Sequence, residues 1–363
     1  MTTKKEMLDQ LRKGKVALPP LSFRFLKGRM EVDGNRRLDA LVKASWREGT
    51  AKFAVECKPI STPKAFQDGM NLLKILPLPK GYRPLLFLPF LNESQLDDLE
   101  REGISGIDLC GNGVIVVPGI FAVFRSGGKN RFSSSAPIKN VYRKNSSMAG
   151  RIFLLRSGYD TVQEICSKIN RLNLLVNSWD KKPMSLSTVS KVLKTLEEDL
   201  IITRKDTIRL LQPDKLLGKL DDNYAPPNIK ERLRLKVPED RETLRELLMN
   251  LSQTLGLPLV ASGTSSVGKY AAMQRGDLLS VYCPCLERLL SLLPGSQTDR
   301  FPNLELVETD DETVYFDARK EGDFWWASPV QVYLELMAGD KRDQETAEQV
   351  KSSILTNLQQ VQS

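Results

Sequence analysis

The chain contains 363 residues, of which 41% are hydrophobic and 27% are charged. This composition excludes a largely disordered chain and is sufficient for two or three domains. No run of roughly 18 uncharged apolar residues occurs, and residues 1–15 lack the apolar core of a signal peptide, so we expect a cytoplasmic protein without a membrane partner. The absence of histidine excludes every catalytic mechanism and zinc finger that depends on an imidazole.

Charge is distributed unevenly along the chain. Residues 1–146 contain 25 basic and 14 acidic residues (+11), residues 147–225 contain 13 and 10 (+3), and residues 226–363 contain 15 and 21 (−6), which together give +8. A basic front part is typical of proteins that bind a polyanion such as nucleic acid. The acidic rear part suits a protein partner or serves only solubility.

Two stretches have the composition of connections between domains. Residues 125–147 contain six basic residues, no acidic residue and clustered Ser and Gly, a composition that cannot bury a core. Residues 221–228 contain paired prolines, which stop a helix. We therefore predict a domain at 1–128, a basic linker at 129–146, a domain at 147–222 and a domain at 228–363.

The first segment alternates helical and strand-like patterns. The predicted helices are 7–12, 64–75 and 94–102, and the predicted strands are 38–44, 53–58, 85–91 and 113–117. The order α-β-β-α-β-α-β predicts an α/β domain around a mixed sheet.

The first two predicted strands form a hairpin that brings acidic side chains together. The strand face predicted to pack on the core carries Leu38, Ala40 and Val42. Asp39 then points to the other face, and Glu56 and Lys58 share one face of the second strand. A turn near residues 47–48 pairs positions whose numbers sum to about 95, which places Asp39 opposite Glu56.

Two converging carboxylates beside a lysine favour a Mg²⁺ site for phosphodiester hydrolysis, with Asp39 and Glu56 as metal ligands. Lys58 would support the negative charge that develops in the transition state. The arrangement Asp39, then Glu56-x-Lys58, then a helix resembles the PD-(D/E)xK restriction-endonuclease-like family over about residues 1–124. The resemblance implies a nuclease fold, which is either catalytic or retained as a binding scaffold. The alternative is an ordinary solvated hairpin face.

The second segment predicts a helix followed by a basic hairpin. Residues 187–200 carry one apolar stripe, and residues 201–211 suggest a hairpin with basic residues at its tip. With a preceding helix at 161–169, this order is typical of a winged helix-turn-helix. The candidate DNA-binding residues are Ser185, Ser187, Thr188, Ser190, Lys191, Lys194, Arg204 and Lys205. The connection at 170–184 is longer than the usual tight turn, and an amphipathic helix in an unrelated helical linker is the alternative.

Three further stretches support a broader resemblance. They are ISGIDLCGNGVIV at 104–116, STVSKVLKTLEEDLI at 187–201 and SPVQVYLELMAGDKRDQETAEQV at 328–350. Together they resemble the AbiEi family, the antitoxins and transcriptional regulators of type IV toxin–antitoxin systems. The resemblance implies a DNA-binding autoregulator whose partner is a nucleotidyltransferase-like toxin, with the DNA-reading helix at 187–200. One departure is Asn71, four residues after Gln67, where some PD-(D/E)xK relatives have a tyrosine.

The sequence thus predicts an α/β and α+β multidomain protein with a restriction-endonuclease-like mixed sheet, a central winged helix-turn-helix and an α/β C-terminal domain for partner contact. Our leading hypothesis is a non-enzymatic regulator that binds double-stranded DNA and needs no cofactor. The alternative is a Mg²⁺-dependent DNA endonuclease that uses Asp39, Glu56 and Lys58. A scaffold that binds only protein is a third possibility.

Overall fold

A computed structural model describes residues 2–33, 36–132, 140–176, 181–272, 278–322 and 324–360. The chain divides into two compact units, residues 1–139 and residues 140–363. The segments 147–222 and 228–363, predicted as separate domains, both lie in the second unit. Residues 133–139 of the predicted linker and 177–180 of the predicted interhelical connection lie outside the described residues. Within the described ranges, no helix is both long and apolar enough to cross a membrane.

The first unit is built on a seven-stranded sheet in the order β1-β4-β5-β6-β7-β8-β9, beside a separate β2–β3 hairpin. Its strands are β1 (Ser22–Lys27), β2 (Met30–Asp33), β3 (Arg36–Leu38), β4 (Ala40–Trp46), β5 (Gly49–Cys57), β6 (Tyr82–Leu88), β7 (Ser105–Asp108), β8 (Gly113–Val117) and β9 (Phe121–Arg125). Its helices are α1 (Lys4–Arg12), α2 (Pro63–Ile75) and α3 (Glu93–Arg101). Every predicted element has a counterpart, and β1, β7 and β9 enlarge the sheet beyond the prediction.

The sheet of the first unit is mixed and curled. β5 pairs antiparallel with β4 and parallel with β6, and β6 pairs parallel with β7. The tip of the β4–β5 hairpin at Gly49 lies so close to Ile120 that an added Cβ would be 2.9 Å from the Ile120 Cγ2 atom. Because β5 and β9 are separated by three strands in the sheet, this contact requires the sheet to curl into a half-barrel.

Helices cover both faces of this sheet. Met7 and Leu11 of α1 are buried with Phe53 and Phe87 on one face, because the apolar residues of α1 recur on one side of the helix. Residues of α2 and α3 pack against Leu86 and its neighbours on the other face. The middle of β5 is therefore enclosed, and Glu56 lies near its C-terminal end.

The predicted orientation of Leu38 is wrong. Ala40 lies in the core that contains α1, whereas Leu38 packs with Leu41 and Ala54 on the opposite face. Asp39 interrupts the regular alternation, because β3 ends at Leu38 and β4 begins at Ala40.

The front part of the second unit combines helices with a three-stranded sheet in the order β10-β12-β11. Its helices are α4 (Met148–Arg151), α5 (Val162–Leu172), α6 (Leu186–Glu198) and α7 (Pro213–Asp222). Its strands are β10 (Gly158–Tyr159), β11 (Ile202–Arg204) and β12 (Ile208–Leu210). The helix and hairpin predicted at 187–211 thus have counterparts in α6, β11 and β12.

The rear part of the second unit contains a second seven-stranded mixed sheet, in the order β16-β13-β17-β15-β14-β19-β18. Its strands are β13 (Glu231–Lys236), β14 (Val260–Ala261), β15 (Leu279–Cys283), β16 (Ser296–Gln297), β17 (Leu304–Glu308), β18 (Arg319–Glu321) and β19 (Phe324–Trp326). Its helices are α8 (Arg241–Leu255), α9 (Gly263–Ser266), α10 (Leu286–Leu290), α11 (Glu312–Tyr315), α12 (Pro329–Met337) and α13 (Lys341–Gln360). The chain as a whole is mixed α/β, as predicted.

Candidate functional site

Asp39, Glu56 and Lys58 converge where β4 begins and β5 ends. Ala40 pairs with Val55, which gives the predicted sum of 95, and the Asp39 N–H donates to the Val55 carbonyl at 3.0 Å. Asp39 is 9% exposed and Glu56 is 3% exposed. The Lys58 Nζ atom lies 3.1 Å from Glu56 Oε1. The structure therefore brings together all three residues that the hairpin pattern selected.

A backbone hydrogen bond holds the Asp39 carboxylate in place, and helix α2 packs beside Lys58. The Cys57 N–H donates to Asp39 Oδ2 at 2.9 Å, so the carboxylate closes the β4–β5 ladder where Asp39 leaves regular strand geometry. Gly69 of α2 allows the helix to approach Leu86, since an added Cβ would lie 2.5 Å from Leu86 Cδ1, and the Lys58 stem lies beside it at an ordinary contact distance of 3.5 Å. The Lys58 stem thus runs beside α2, and its ammonium group contacts Glu56.

A fourth residue, Lys4, completes what we call the strand-end cluster (Lys4, Asp39, Glu56 and Lys58). Its Nζ atom lies 2.6 Å from Asp39 Oδ2 and 3.9 Å from Glu56 Oε1. The sequence reasoning missed Lys4 because it placed the start of α1 at residue 7. The signal was present in Thr3-x-x-Glu6, a capping box that starts the helix at Lys4.

Burial and charge act in opposite directions on this cluster. Burial raises the pKa of Glu56, the nearby Asp39 carboxylate raises it further, and the Lys4 and Lys58 ammonium groups oppose both effects. Burial also raises the pKa of the Cys57 thiol to about 12, so this thiol is protonated and non-nucleophilic at neutral pH.

The cluster as it stands does not fit a divalent cation. Asp39 Oδ2 already accepts the Lys4 ammonium and a backbone N–H, and two ammonium groups balance two carboxylates. Among the residues that the structure describes, no group of three or more His, Cys, Asp or Glu side chains could hold a metal ion. Gln67 and Asn71, where the family pattern departs, hydrogen-bond to each other at 3.1 Å on the exposed side of α2.

A second candidate site lies on α6 and the β11–β12 hairpin, and we call it the helix–hairpin surface (Ser185, Ser187, Thr188, Ser190, Lys191, Lys194, Arg204 and Lys205). The buried stripe of α6 is Val189, Val192, Leu193 and Leu196, as predicted. Lys191, Lys194 and Lys205 are exposed, and Arg204 is half-buried at the end of β11. Within the described ranges, no carboxylate lies within ion-pair distance of these four cations.

The hydroxyl residues of this surface occupy different positions at the start of α6. Ser185 is the N-cap and accepts the Thr188 N–H at 3.2 Å, and the two hydroxyl groups hydrogen-bond at 2.9 Å. Ser187 is exposed and Ser190 is half-buried. Of the two exposed serines, Ser185 and Ser187, only Ser185 caps the helix, so Ser185 and Thr188 mainly stabilise the helix end and Ser187 does not.

Arg209 belongs beside this surface and was missed. It is exposed on β12 between the buried residues Ile208 and Leu210, and it pairs with Thr203 across the hairpin. The alternation of apolar and basic residues at 208–210 was the signal that could have identified it.

The long connection between α5 and α6 is fastened at its end. The Asn170 side chain accepts the Met184 N–H at 2.8 Å and donates to the Met184 carbonyl at 3.1 Å. The Cys166 Sγ atom lies 3.2 Å from the same carbonyl oxygen. Because Met184 directly precedes the N-cap of α6, this clamp sets where the helix begins despite the length of the connection.

The start of the same connection is attached to the rear part of the second unit. The Asp317 N–H donates to the Leu172 carbonyl at 3.1 Å, and Asn173 forms an isolated β-bridge with Phe316. Near the other end, the Lys181 Nζ atom lies 3.7 Å from Asp310 Oδ2. The position of α6 therefore depends on residues 310–317 as well as on α5.

Comparison with known proteins finds no matching family model, no matching curated protein and no matching solved structure.

Proposed function

We propose that this chain is a DNA-binding protein of the regulator type, which contacts double-stranded DNA through the helix–hairpin surface. The observation that carries the proposal is the set of four cations on α6 and the β11–β12 hairpin, which have no carboxylate partner in the described part of the chain. Cations of this kind bind phosphates readily, because counterions released from the DNA drive the association. Paired cations would first have to break their own ion pairs.

The order of elements supports a winged helix-turn-helix. α4, β10, α5, α6, β11 and β12 follow one another, and β10 lies next to β12 in the three-stranded sheet. In this arrangement α6 is the helix that would enter the major groove, and the β11–β12 hairpin is the wing. The exposed Ser187 hydroxyl would then reach a base edge or a phosphate at the groove.

The resemblance to AbiEi antitoxins fits this proposal and extends it. A regulator of that family would act in the cytoplasm, and its partner would be a nucleotidyltransferase-like toxin. The acidic rear part of the chain is the region that we assign to this partner, because like charge keeps it away from DNA.

The proposal is tested by the affinity for a mixed-sequence duplex of about 30 base pairs at low salt. Replacing Lys191, Lys194, Arg204 and Lys205 by Ala should weaken binding at least about tenfold. The matched control replaces four exposed basic residues of the same unit, namely Lys236, Arg241, Lys341 and Arg342. Equal affinities of the two variants would overturn the assignment of the surface.

The endonuclease alternative is favoured by one observation, the convergence of Asp39, Glu56 and Lys58. In such an enzyme the carboxylates would hold Mg²⁺, and Lys58 would stabilise the transition state. Incubation of the purified protein with Mg²⁺ and plasmid or single-stranded DNA should give no cleavage under our proposal. Cleavage that disappears in Asp39→Asn, Glu56→Gln and Lys58→Ala would establish the enzyme instead.

A further inference from the structure

One face of the sheet in the first unit carries three cations side by side on neighbouring strands. Arg24 of β1 pairs with Lys43 of β4, and Lys43 pairs with Lys52 of β5. We call these residues the cation row (Arg24, Lys43 and Lys52). Directly paired residues of an antiparallel sheet point to the same face, with Cβ atoms about 5 Å apart. The row therefore concentrates three positive charges within about 10 Å.

The cation row lies on the face of the sheet opposite α1. Val42 and Phe53, the chain neighbours of Lys43 and Lys52, are buried in the core to which α1 contributes. Because side chains alternate between the two faces of a strand, Lys43 and Lys52 lie on the other face. Arg24 and Lys52 are exposed there, and Lys43 is half-buried between them. The three charges are thus accessible from solvent.

No acid balances the cation row. Among the residues that the structure describes, no carboxylate lies within ion-pair distance of any of the three. Like charges directly opposite each other on a sheet destabilise it. A single Glu or Thr at any of the three positions would relieve this repulsion. An arrangement that opposes folding in this way indicates a function, in which a ligand supplies the missing negative charge.

Hydroxyl groups border the cation row on the side of the β4–β5 turn. Ser22 pairs with Ser45, and Ser45 pairs with Thr50, so these residues form a second row on the same face. Ser22 and Thr50 are exposed, and Ser45 is half-buried. Hydroxyl and cationic side chains are the usual donors to phosphate oxygens in complexes with nucleic acids.

An aromatic ring lies at one end of the cation row. Tyr82 of β6 pairs with Lys52, and the Lys52 Nζ atom lies 5.8 Å from the centre of the Tyr82 ring. The ring is half-buried, so part of it remains accessible. Positively charged surfaces with an aromatic side chain are typical of proteins that bind single strands, because an unpaired base stacks on the ring.

We propose that the cation row binds the phosphates of a single-stranded nucleic acid, with one base stacked on Tyr82. The first unit contains 23 basic and 14 acidic residues, a net charge of +9, which attracts a polyanion. Lysine is depleted at protein–protein interfaces, and this favours a nucleic acid over an acidic segment of a protein. The site goes beyond the helix–hairpin surface, because it lies in the first unit and takes a single strand.

The experiment measures the affinity of the full chain for a labelled oligothymidine of about 15 nucleotides as a function of salt concentration. The variant replaces the three residues of the cation row by Gln. At low salt it should bind at least about tenfold more weakly than wild type. Its log–log salt slope should fall by up to about 2.1, because each phosphate contact with a single strand contributes about 0.7.

The matched control removes the same number of charges from the other side of the sheet. It replaces three exposed lysines in and just after α1 by Gln, namely Lys5, Lys13 and Lys15. Its affinity for the oligothymidine should stay within about twofold of wild type, since these lysines make no contact with the strand. An equal loss of affinity in the control and in the cation-row variant would contradict the inference.

The melting temperature separates lost binding from lost folding. Because the three charges repel each other, the cation-row variant should melt at or above the wild-type temperature. A lower melting temperature would contradict the inference, because the charges would then stabilise the fold.

Tyr82 provides a second test within the same site. Tyr82→Leu removes the ring and should weaken oligothymidine binding about fivefold or more, whereas Tyr82→Phe keeps the ring and should bind like wild type. Equal affinities of the Leu and Phe variants would exclude stacking on this ring.

The mixed-sequence duplex distinguishes this inference from the proposed function. Replacing the four cations of the helix–hairpin surface by Ala should leave oligothymidine affinity unchanged, and the cation-row variant should keep its duplex affinity. Wild-type affinity of the cation-row variant for oligothymidine would overturn the inference. So would a loss that is as large for the duplex as for the single strand. Displacement of oligothymidine by an equal charge of polyglutamate would assign the row to an acidic protein instead.

Discussion

The strand-end cluster and the helix–hairpin surface both combine lysines with polar groups, yet their charges are in opposite situations. In the cluster each lysine lies against a carboxylate, and the acids are nearly buried. On the helix–hairpin surface the lysines are exposed, and within the described residues no acid lies within ion-pair distance of them. The first arrangement satisfies its own charges, whereas the second is available to a polyanion.

The number of basic residues alone therefore does not locate a nucleic-acid interface. The first unit belongs to the most basic part of the chain, but Lys4 and Lys58 are engaged internally. The second unit contains 30 basic and 31 acidic residues, a net charge of −1, but it presents exposed cations on α6 and on the β11–β12 hairpin. Which of the two regions can bind a polyanion depends on whether its positive charges are free of internal ion pairs, and this is determined by the fold.

The largest expected effect comes from breaking the neutrality of the cluster. Lys58→Met should lower the free energy of unfolding by about 3 kcal/mol at pH 7.5, because it leaves Glu56 and Asp39 with one cation fewer. Lys27→Met, at an exposed lysine of the same sheet, should change it by less than about 0.5 kcal/mol. Urea unfolding of both variants measures this contrast.

The pH dependence distinguishes charge from packing in Lys58→Met. Burial and Asp39 raise the pKa of Glu56, so the folded state favours the protonated acid more than the unfolded state does. Loss of Lys58 raises the pKa of Glu56 in the folded state further. The loss of stability in Lys58→Met should therefore be absent at pH values below the pKa of Glu56 in the unfolded state, and it should grow as the pH rises through the pKa of Glu56 in the folded state. A defect of equal size at pH 4 and pH 7.5 would indicate lost packing instead.

Whether a contact of the strand-end cluster could be predicted from the sequence depends on how far apart along the chain its residues are. The Asp39–Glu56 pairing followed from counting along one hairpin, because a short turn fixes the register of both strands. Leu38 was assigned to the wrong face, since alternation cannot reveal that Asp39 lies between two strands. Lys4 was missed because the predicted start of α1 at residue 7 overlooked the Thr3-x-x-Glu6 capping box, and because no local pattern encodes where α1 packs.

In the second unit, too, local sequence predicted the features of one helix but not the contacts between residues that are distant along the chain. The apolar stripe of α6 was predicted from residues within the helix, and it is buried as expected. The Asn170 clamp joins residues 14 positions apart across an irregular connection, so hydrophobic periodicity carries no signal for it. The link between residues 310–317 and the α5–α6 connection is longer in range still.

The second prediction concerns Asp317, a buried acid under the α5–α6 connection. Burial raises its pKa to about 6, although Arg319 opposes this shift from 3.0 Å. The protonated Asp317 carboxyl therefore stabilises the folded state at pH values below the ordinary pKa of aspartate. This stabilisation is lost as the pH rises through 6. Asp317→Asn should remove this loss and gain on the order of 2 kcal/mol at pH 8.

The backbone makes asparagine a conservative choice at position 317. The φ angle of Asp317 is +54°, in the left-handed region that Asn tolerates. Asp206→Asn, at an exposed acid of the hairpin, is the control for a simple change of net charge. Denaturant unfolding between pH 4 and pH 8 measures the effect, and an unchanged pH profile in Asp317→Asn would refute the assignment to this carboxyl.

The third prediction tests whether the clamp at Asn170 positions α6. Asn170→Ala removes both hydrogen bonds to Met184 and should lower stability by about 1 to 2 kcal/mol. It should also weaken duplex binding about tenfold, because the start of α6 is no longer held in place. Gln163→Ala, on the exposed side of α5, should change neither quantity. If Asn170→Ala is less stable but binds DNA with unaltered affinity, the hydrogen bonds between Asn170 and Met184 do not position α6 for binding.

The smallest expected effect on affinity is that of Ser187→Ala. An accessible hydroxyl at the start of α6 would contribute mainly to sequence preference, so affinity for a mixed-sequence duplex should stay within about threefold. Selection from a pool of randomised duplexes should yield a different preferred sequence. Lys191→Ala should instead weaken binding to all duplex sequences alike. Identical sequence preferences of wild type and Ser187→Ala would show that Ser187 does not contact the bases.

Contact between DNA and the helix–hairpin surface can be tested by the salt dependence of duplex binding. We expect the logarithm of the association constant to fall linearly with the logarithm of salt concentration, with each phosphate contact contributing about 0.9 to the slope. Replacing Lys191, Lys194, Arg204 and Lys205 by Ala should reduce the slope by up to about 3.6, whereas replacing Lys4 and Lys58 by Gln should leave it unchanged. A slope that falls only in the Lys4 and Lys58 variant would place the DNA on the strand-end cluster and exclude the helix–hairpin surface as the binding site.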